Sequence, residues 1–278
     1  MCGASSGCGR GVNLMAERPV AAITGASSGI GEVFARKLAA RGHDLLLIAR
    51  RKERLDRLGA ELSQAHGIDA ESFAADLASD TDVCRVAERL RAEPRLTVLV
   101  NNAGFGVKGR FFNSPVEEQE RMHRVHVMAT VRLTHAALEP MVENDNGAIV
   151  NVASVAAFAR SQGNVSYCAT KAWMTVFTEG LYLDLRGAGS KVRVQALCPG
   201  YTHTEFHDVM RVSKNNVGSS LWLNAGDVVE ESLRGLERGK LFVVPGFPYK
   251  FVTALVPKLP TGLRVWIEQR SPQSKGRV

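Results

Sequence analysis

From residue 20 to residue 244 the chain alternates two spacings of apolar positions. Short apolar runs at 20–24, 44–49, 69–75, 96–100, 148–152, 191–197 and 241–244 are rich in Val, Ile, Leu and Ala. Such runs predict strands buried on both faces of a parallel sheet. Between them lie longer stretches with helical spacing. Ile30, Val33, Phe34 and Leu38 share one helix face, as do Leu55, Leu58 and Leu62. Helices are expected from the 25–31 turn through Arg41, then over 52–66, 80–91, 115–143, 165–186 and 227–237. Gly67 serves as a C-cap and Ser79 or Asp80 as an N-cap. Strict alternation of strand and helix predicts an α/β fold: a doubly wound parallel sheet, Rossmann-like, of about seven strands in a single domain.

No linker or composition shift divides residues 19–246, which are expected to form one domain. Residues 1–18 are rich in Gly and Ser, lack a signal-peptide apolar core, and read as a disordered extension. Residues 247–278 read as a second extension, amphipathic and then disordered. The net charge of +7 is spread among acids, without an aromatic-basic nucleic-acid motif. Five dispersed cysteines show no CxxC pair and no zinc spacing. They read as reduced thiols of a cytoplasmic protein without a metal site.

In doubly wound sheets ligands bind beyond the carboxyl ends of the strands. The unusual residues cluster there. After the first strand comes Gly25-Ala26-Ser27-Ser28-Gly29-Ile30-Gly31, a turn of small residues that lets backbone N–H groups approach a pyrophosphate at a helix N-terminus. Alone, this spacing also suits a plain strand-to-helix turn. Arg50 and Arg51 follow the second strand, Asp76 and Leu77 the third, and Asn101-Asn102-Ala103-Gly104 the fourth. Ser154 follows the fifth and Pro199-Gly200 the sixth. Thirteen residues after Ser154, Tyr167 and Lys171 stand four apart on one helix face. A phenol titrates near 10, and a neighbouring ammonium lowers that value toward useful acid–base chemistry.

Together these motifs identify the chain as resembling the short-chain dehydrogenase/reductase family. Thr24-Gly25-x-x-x-Gly29-x-Gly31 matches its glycine turn, and Asn101-Asn102-Ala103-Gly104 its post-strand motif. Ser154 with Tyr167-x-x-x-Lys171 matches its catalytic set, and Pro199-Gly200 with Thr202 or Thr204 the segment beside the nicotinamide. The resemblance implies that Ser154 hydrogen-bonds a substrate carbonyl, Tyr167 donates the proton, and Lys171 holds the ribose and tunes Tyr167. It implies that Ser27, Ser28, Ile30 and Leu77 line the cofactor and that Asn102, Ala103 and Gly104 face its adenine–ribose side. Asp76 either pairs with the adenine amino group or is an acid of a helix-entry turn. Ala49 stands where NAD-binding relatives carry an acid, and Arg50 and Arg51 follow, so NADP(H) is the expected cofactor. One position departs: Val125-His126 replaces the family's Val-Asn pair. His126 is therefore a candidate to hold a proton-relay water, or is a helix residue without that role.

Aromatic residues Phe105, Phe111, Phe112, Phe158, Phe206 and Trp222, with Met210 and Leu221, lie on loops near the strand ends and favour an apolar carbonyl compound or alcohol. They equally suit simple lid packing. The tail to Ile267 carries Lys250, Lys258 and Arg264 among aromatic and aliphatic residues and is broken by Pro257 and Pro260. It either covers the cleft, meets a second subunit of a homo-oligomer, or rests at a membrane interface. A rival reading keeps the cofactor and loses turnover, giving an NADP(H)-binding regulatory protein. The intact Ser154, Tyr167 and Lys171 argue against it.

Overall fold

The structure is a computed structural model, and it describes residues 17–107, 109–205 and 218–270. The expectations for residues 1–16, Phe206, Met210 and 271–278 lie outside these.

Seven parallel strands form one sheet: β1 (Val20–Thr24), β2 (Asp44–Ala49), β3 (Ala70–Ala74), β4 (Leu96–Asn101), β5 (Ala148–Val152), β6 (Arg193–Leu197) and β7 (Phe242–Val243). Their spatial order is β3-β2-β1-β4-β5-β6-β7. The order reverses between β1 and β4, which opens a crevice above their carboxyl ends. Side chains alternate between two buried layers. Ala21 and Ile23 of β1 pack with Phe34 and Leu38 of α1 (Gly29–Ala39), with Leu55 and Leu62 of α2 (Lys52–His66), and with Val229 of α7 (Ala225–Glu237). Val20 and Ala22 face the opposite layer, against Val86 of α3 (Asp80–Arg91) and Leu133 of α5 (Thr130–Glu143). The remaining helices among the described residues are α4 (Val116–His123), α6 (Val165–Gly187), α8 (Phe247–Leu255) and α9 (Thr261–Arg270).

The fold class, strand count and both expected caps match the reading of the sequence. Gly67 adopts φ +64° at the end of α2, and the Ser79 hydroxyl accepts the Asp82 N–H. Three details differ. The expected 115–143 helix is two α-helical stretches joined by a π-helical turn, Arg124–Ala129, which contains His126. Strand β6 begins at Arg193, because the Ser190 hydroxyl accepts the Val192 N–H and sheet pairing starts only with Arg193 N–H to Gly147. The described part of the tail holds two helices, separated by a 3-10 turn at Val256–Lys258 where Pro257 interrupts it.

A buried polar ladder crosses the sheet beneath the crevice. Asn101 and Asn151 sit opposite each other in the β4–β5 register. The Asn101 amide donates to Asn151 Oδ1 at 2.9 Å and to Thr134 Oγ1 at 3.0 Å, and the Asn151 amide donates to Thr178 Oγ1 at 2.9 Å.

Candidate active site

The crevice holds a cleft of about 590 Å³ that gathers residues from the carboxyl ends of β1 to β6. Its floor is the β1–α1 turn. Gly25 takes φ +67° and Gly29 φ +60°, where a side chain is strained. A Cβ on Gly31 would stand 2.3 Å from Gly25 O and 2.5 Å from Asn102 Nδ2, so only glycine fits. The turn is stapled to the segment after β4. Thr24 Oγ1 accepts the N–H groups of Asn102 and Ala103 at 2.9 and 3.0 Å, and Asn102 Nδ2 donates to Thr24 O at 2.9 Å. The α1 N-terminus receives no side-chain cap from Ser28. Its first N–H groups are thereby left to an anion.

Arginines mark one end of the cleft. Arg51 donates to the hydroxyls of Ser27 and Ser28, at 3.0 and 2.9 Å, and ion-pairs with Glu205 at 3.0 Å. Arg54 meets the same carboxylate at 2.7 Å. Arg50 lines the cleft as well, and its charge acts on Asp76. The sequence offered both Arg50 and Arg51 for a 2′-phosphate; the structure seats Arg51 on the Ser27–Ser28 turn. Asp76 accepts the Ala78 N–H and ion-pairs with Arg121 at 3.0 Å. Burial works to raise its pKa, but these partners outweigh it and hold the carboxyl below its usual range. Leu77, Ala103 and Gly104 line the cleft as well.

The other end holds the Ser–Tyr–Lys set. Ser154 caps the short turn Val155–Ala157, and its Oγ accepts the Ala156 N–H at 3.2 Å. Tyr167 and Lys171 extend from α6 into the same cleft. Lys171 Nζ lies 5.9 Å from the centre of the Tyr167 ring and donates to Val152 O at 2.7 Å. Burial pulls its ammonium down to about 8. Burial likewise pushes the neighbouring Cys198 thiol up to about 12, so Cys198 is no nucleophile at neutral pH.

His126 is fully buried. Its Nε2 accepts the Phe105 N–H at 3.1 Å, which leaves the proton on Nδ1, 2.9 Å from Thr170 Oγ1. Thr170 in turn donates to Tyr167 O at 3.0 Å. Both ring nitrogens are engaged, so the water-holding role expected of His126 has no free nitrogen to act through. Burial, Lys171 and His123 all drive its pKa well below 6.5, and the ring is neutral.

Pro199, Gly200, Thr202 and Thr204 close the cleft from the β6 side. Thr204 packs on Gly29, 3.1 Å from where its Cβ would stand. Tyr249 of α8 lies so close to Gly200 that a Cβ there would be 2.1 Å from the ring. The Tyr249 hydroxyl donates to Leu221 O at 2.6 Å and accepts the Tyr201 N–H at 3.1 Å. Sequence patterning missed Arg121, Glu205 and Tyr249, because their partners are distant in the chain. Of the apolar loop residues expected there, Phe105 and Leu221 line the cleft. Phe111 and Phe112 are instead exposed on a short 3-10 turn, Phe111–Asn113.

The geometry is that of a dinucleotide-dependent oxidoreductase, and comparison with known proteins agrees. The chain belongs to the short chain dehydrogenase family, whose profile matches residues 19–215. It is 33% identical over 249 residues to an uncharacterized oxidoreductase of Myxococcus xanthus, covering 87% of this chain and 93% of the relative. It is 30% identical over 200 residues to the very-long-chain 3-oxoacyl-CoA reductase of Anas platyrhynchos and spans 62% of that protein's length. Among solved structures, a short-chain dehydrogenase from Sphingobium yanoikuyae in complex with NADPH superposes with a TM-score of 0.78 at 35% identity, covering 91% of this chain and 96% of that one. The bulky-bulky ketone specific alcohol dehydrogenase of Comamonas testosteroni gives 0.74 at 33% identity, covering 82% and 86%.

Proposed function

We propose that the protein is an NADP(H)-dependent oxidoreductase that interconverts an apolar carbonyl compound and its alcohol. The carrying observation is one cleft with Arg51 held on the Ser27–Ser28 turn at one end and Ser154, Tyr167 and Lys171 at the other. The residues fit the dinucleotide. Gly25, Gly29 and Gly31 leave the backbone open to a pyrophosphate beside the uncapped start of α1. Arg50 and Arg51 suit the 2′-phosphate, and Asp76, Leu77, Asn102, Ala103 and Gly104 suit adenine and its ribose. Lys171, Pro199, Gly200, Thr202 and Thr204 suit the nicotinamide half. When bound, NADP(H) exchanges a hydride with the carbonyl carbon.

The protein's part is proton handling and orientation. The Ser154 hydroxyl hydrogen-bonds the substrate oxygen. The Tyr167 hydroxyl gives its proton to that oxygen in reduction and takes it back in oxidation. The Lys171 cation favours the phenolate and shortens this exchange in free energy. His126 acts as a positioning residue: its ring ties the Phe105 backbone to the helix turn that carries Tyr167. Phe105, Ala156, Leu221 and Val252 supply apolar lining for a substrate. Exposed Met128, Val131, Val176 and Leu183 support a homo-oligomer. Among the described residues no helix is long and apolar enough to cross a membrane.

The test is NADPH oxidation against a panel of aldehydes, ketones, steroids and acyl thioesters. Turnover of an apolar carbonyl is expected. Tight NADPH binding with no turnover of any member would favour the regulatory reading.

A further inference from the structure

The Glu205 carboxylate occupies a position that no part of the chemistry above uses. Its two oxygens bridge two guanidiniums, Arg51 Nη1 at 3.0 Å and Arg54 Nη1 at 2.7 Å. The same Arg51 group rests with Nε and Nη2 on the Ser27 and Ser28 hydroxyls, on the floor of the cleft. The preceding residue, Thr204, packs against Gly29 of the phosphate-binding turn. Glu205 is therefore a tethered anion at the arginine end of the cofactor cleft, and it lines that cleft.

A phosphate and a carboxylate ask the same thing of a guanidinium: parallel N–H donors and a positive charge. Two anions on one guanidinium repel each other, so both cannot be held at full strength. We propose that Glu205 sets the cofactor preference of this protein, by competing with the 2′-phosphate of NADP(H) for Arg51. The proposal rests on the reading of the cleft as an NADP(H) site and deepens it. In the cofactor-free protein the carboxylate neutralises Arg51 and Arg54. Arrival of a 2′-phosphate turns it out toward solvent, which its half-exposed position allows. A ribose with a 2′-hydroxyl asks for no such exchange. Glu205 thus weakens NADPH binding selectively and narrows the gap between NADPH and NADH.

The experiment is isothermal titration of the full chain and of Glu205→Gln with NADPH, NADH and 2′,5′-ADP. Glutamine keeps the shape and removes the charge. At low salt the variant should bind NADPH and 2′,5′-ADP about three- to tenfold more tightly, the scale of one or two exposed ion pairs, with NADH unchanged within about twofold. The gain should shrink at high salt, where exposed charges are screened. No change, an equal change for NADPH and NADH, or weaker NADPH binding would each overturn the proposal; the last would make Glu205 an organiser of Arg51. An Arg51→Ala arm separates the two readings. If wild type prefers NADPH, Arg51→Ala loses that preference and Glu205→Gln leaves it unaltered, only the Glu205 proposal falls. If wild type binds NADPH and NADH equally, the NADP(H) reading falls and takes the proposal with it.

Discussion

Replacing His126 by alanine removes a connection between two halves of the site, and its cost can be worked from the geometry. The change strands the Phe105 N–H, which His126 Nε2 accepts at 3.1 Å in a fully buried setting. An orphaned buried donor costs about 1–3 kcal/mol. The bond from Nδ1–H to Thr170 Oγ1 adds about 1 kcal/mol. The void left by the ring adds on the order of 1 kcal/mol more. The sum is about 3–5 kcal/mol, or roughly 10 °C in Tm for a domain of this size. His126→Asn keeps one donor and one acceptor on a shorter side chain, so its loss should be smaller and its turnover retained. His126→Ala should also slow turnover while NADPH still binds. The pH dependence gives a second readout with a fixed sign. The folded ring stays neutral while the unfolded one takes up a proton below 6.5, so the unfolded state binds more protons and stability falls as pH falls. That acid-side loss of stability is the share of the pH dependence that belongs to His126. His126→Asn should lack that portion, while His43, whose pKa burial also lowers, keeps its own share. The assay is urea denaturation of the three proteins at pH 8 and pH 5. A loss under about 1 kcal/mol in His126→Ala, with an unaltered acid slope in His126→Asn, would refute the reasoning and reduce His126 to a tolerated helix residue.

Other outcomes follow from the same geometry. Tyr167→Phe should lower turnover by at least about 10²-fold and spare cofactor affinity, read from kcat and from NADPH titration; near-normal turnover would overturn the assigned proton donor. Gly31→Ala should abolish NADPH binding or folding, because its Cβ would stand 2.3 Å from Gly25 O; a variant that binds normally would contradict the packing of the turn. Arg50→Ala and Arg51→Ala should each weaken NADPH more than NADH, with the larger effect at Arg51, the guanidinium already seated on Ser27 and Ser28; the reverse ranking would make Arg50 the main 2′-phosphate partner. Tyr249→Phe orphans the Tyr201 N–H, 3.1 Å from the lost hydroxyl, and should cost about 1–2 kcal/mol in denaturation; no measurable loss would show that the hydroxyl is dispensable.

Local patterning made the frame legible. The apolar runs and helical spacings located the seven strands, and α2 was expected over the residues it occupies, since Leu55, Leu58 and Leu62 face the core and Gly67 ends it. The cofactor turn and the Ser–Tyr–Lys set were legible because each is a short motif at a strand or helix end. What escaped is made of pairings across the fold. Arg121 and Asp76 lie 45 residues apart, and Arg51 and Glu205 lie 154 apart. No spacing announces such partners. The π turn escaped for a related reason: nothing in 124–129 breaks a helix, and the wider turn shows only where His126 meets Phe105 and Thr170. Phe111 and Phe112 were misplaced because loop aromatics carry no period, and here their turn faces solvent.

The buried ladder under the cleft has a consequence for errors in assembly. Parallel strands of aliphatic residues tolerate many alignments nearly equally well, and a slip of one residue exchanges their two faces. Here such a slip between β4 and β5 would separate Asn101 from Asn151 and strand their amides, with Thr134 and Thr178, in apolar surroundings. Each stranded group costs about 1–3 kcal/mol, so a misaligned sheet lies several kcal/mol above the native one. The penalty falls where alignment matters most. Asn102 follows β4 directly and Ser154 lies two residues beyond β5, so the matched amides act as a proofreading mark that brings the cofactor loop and the serine to the same edge of the sheet.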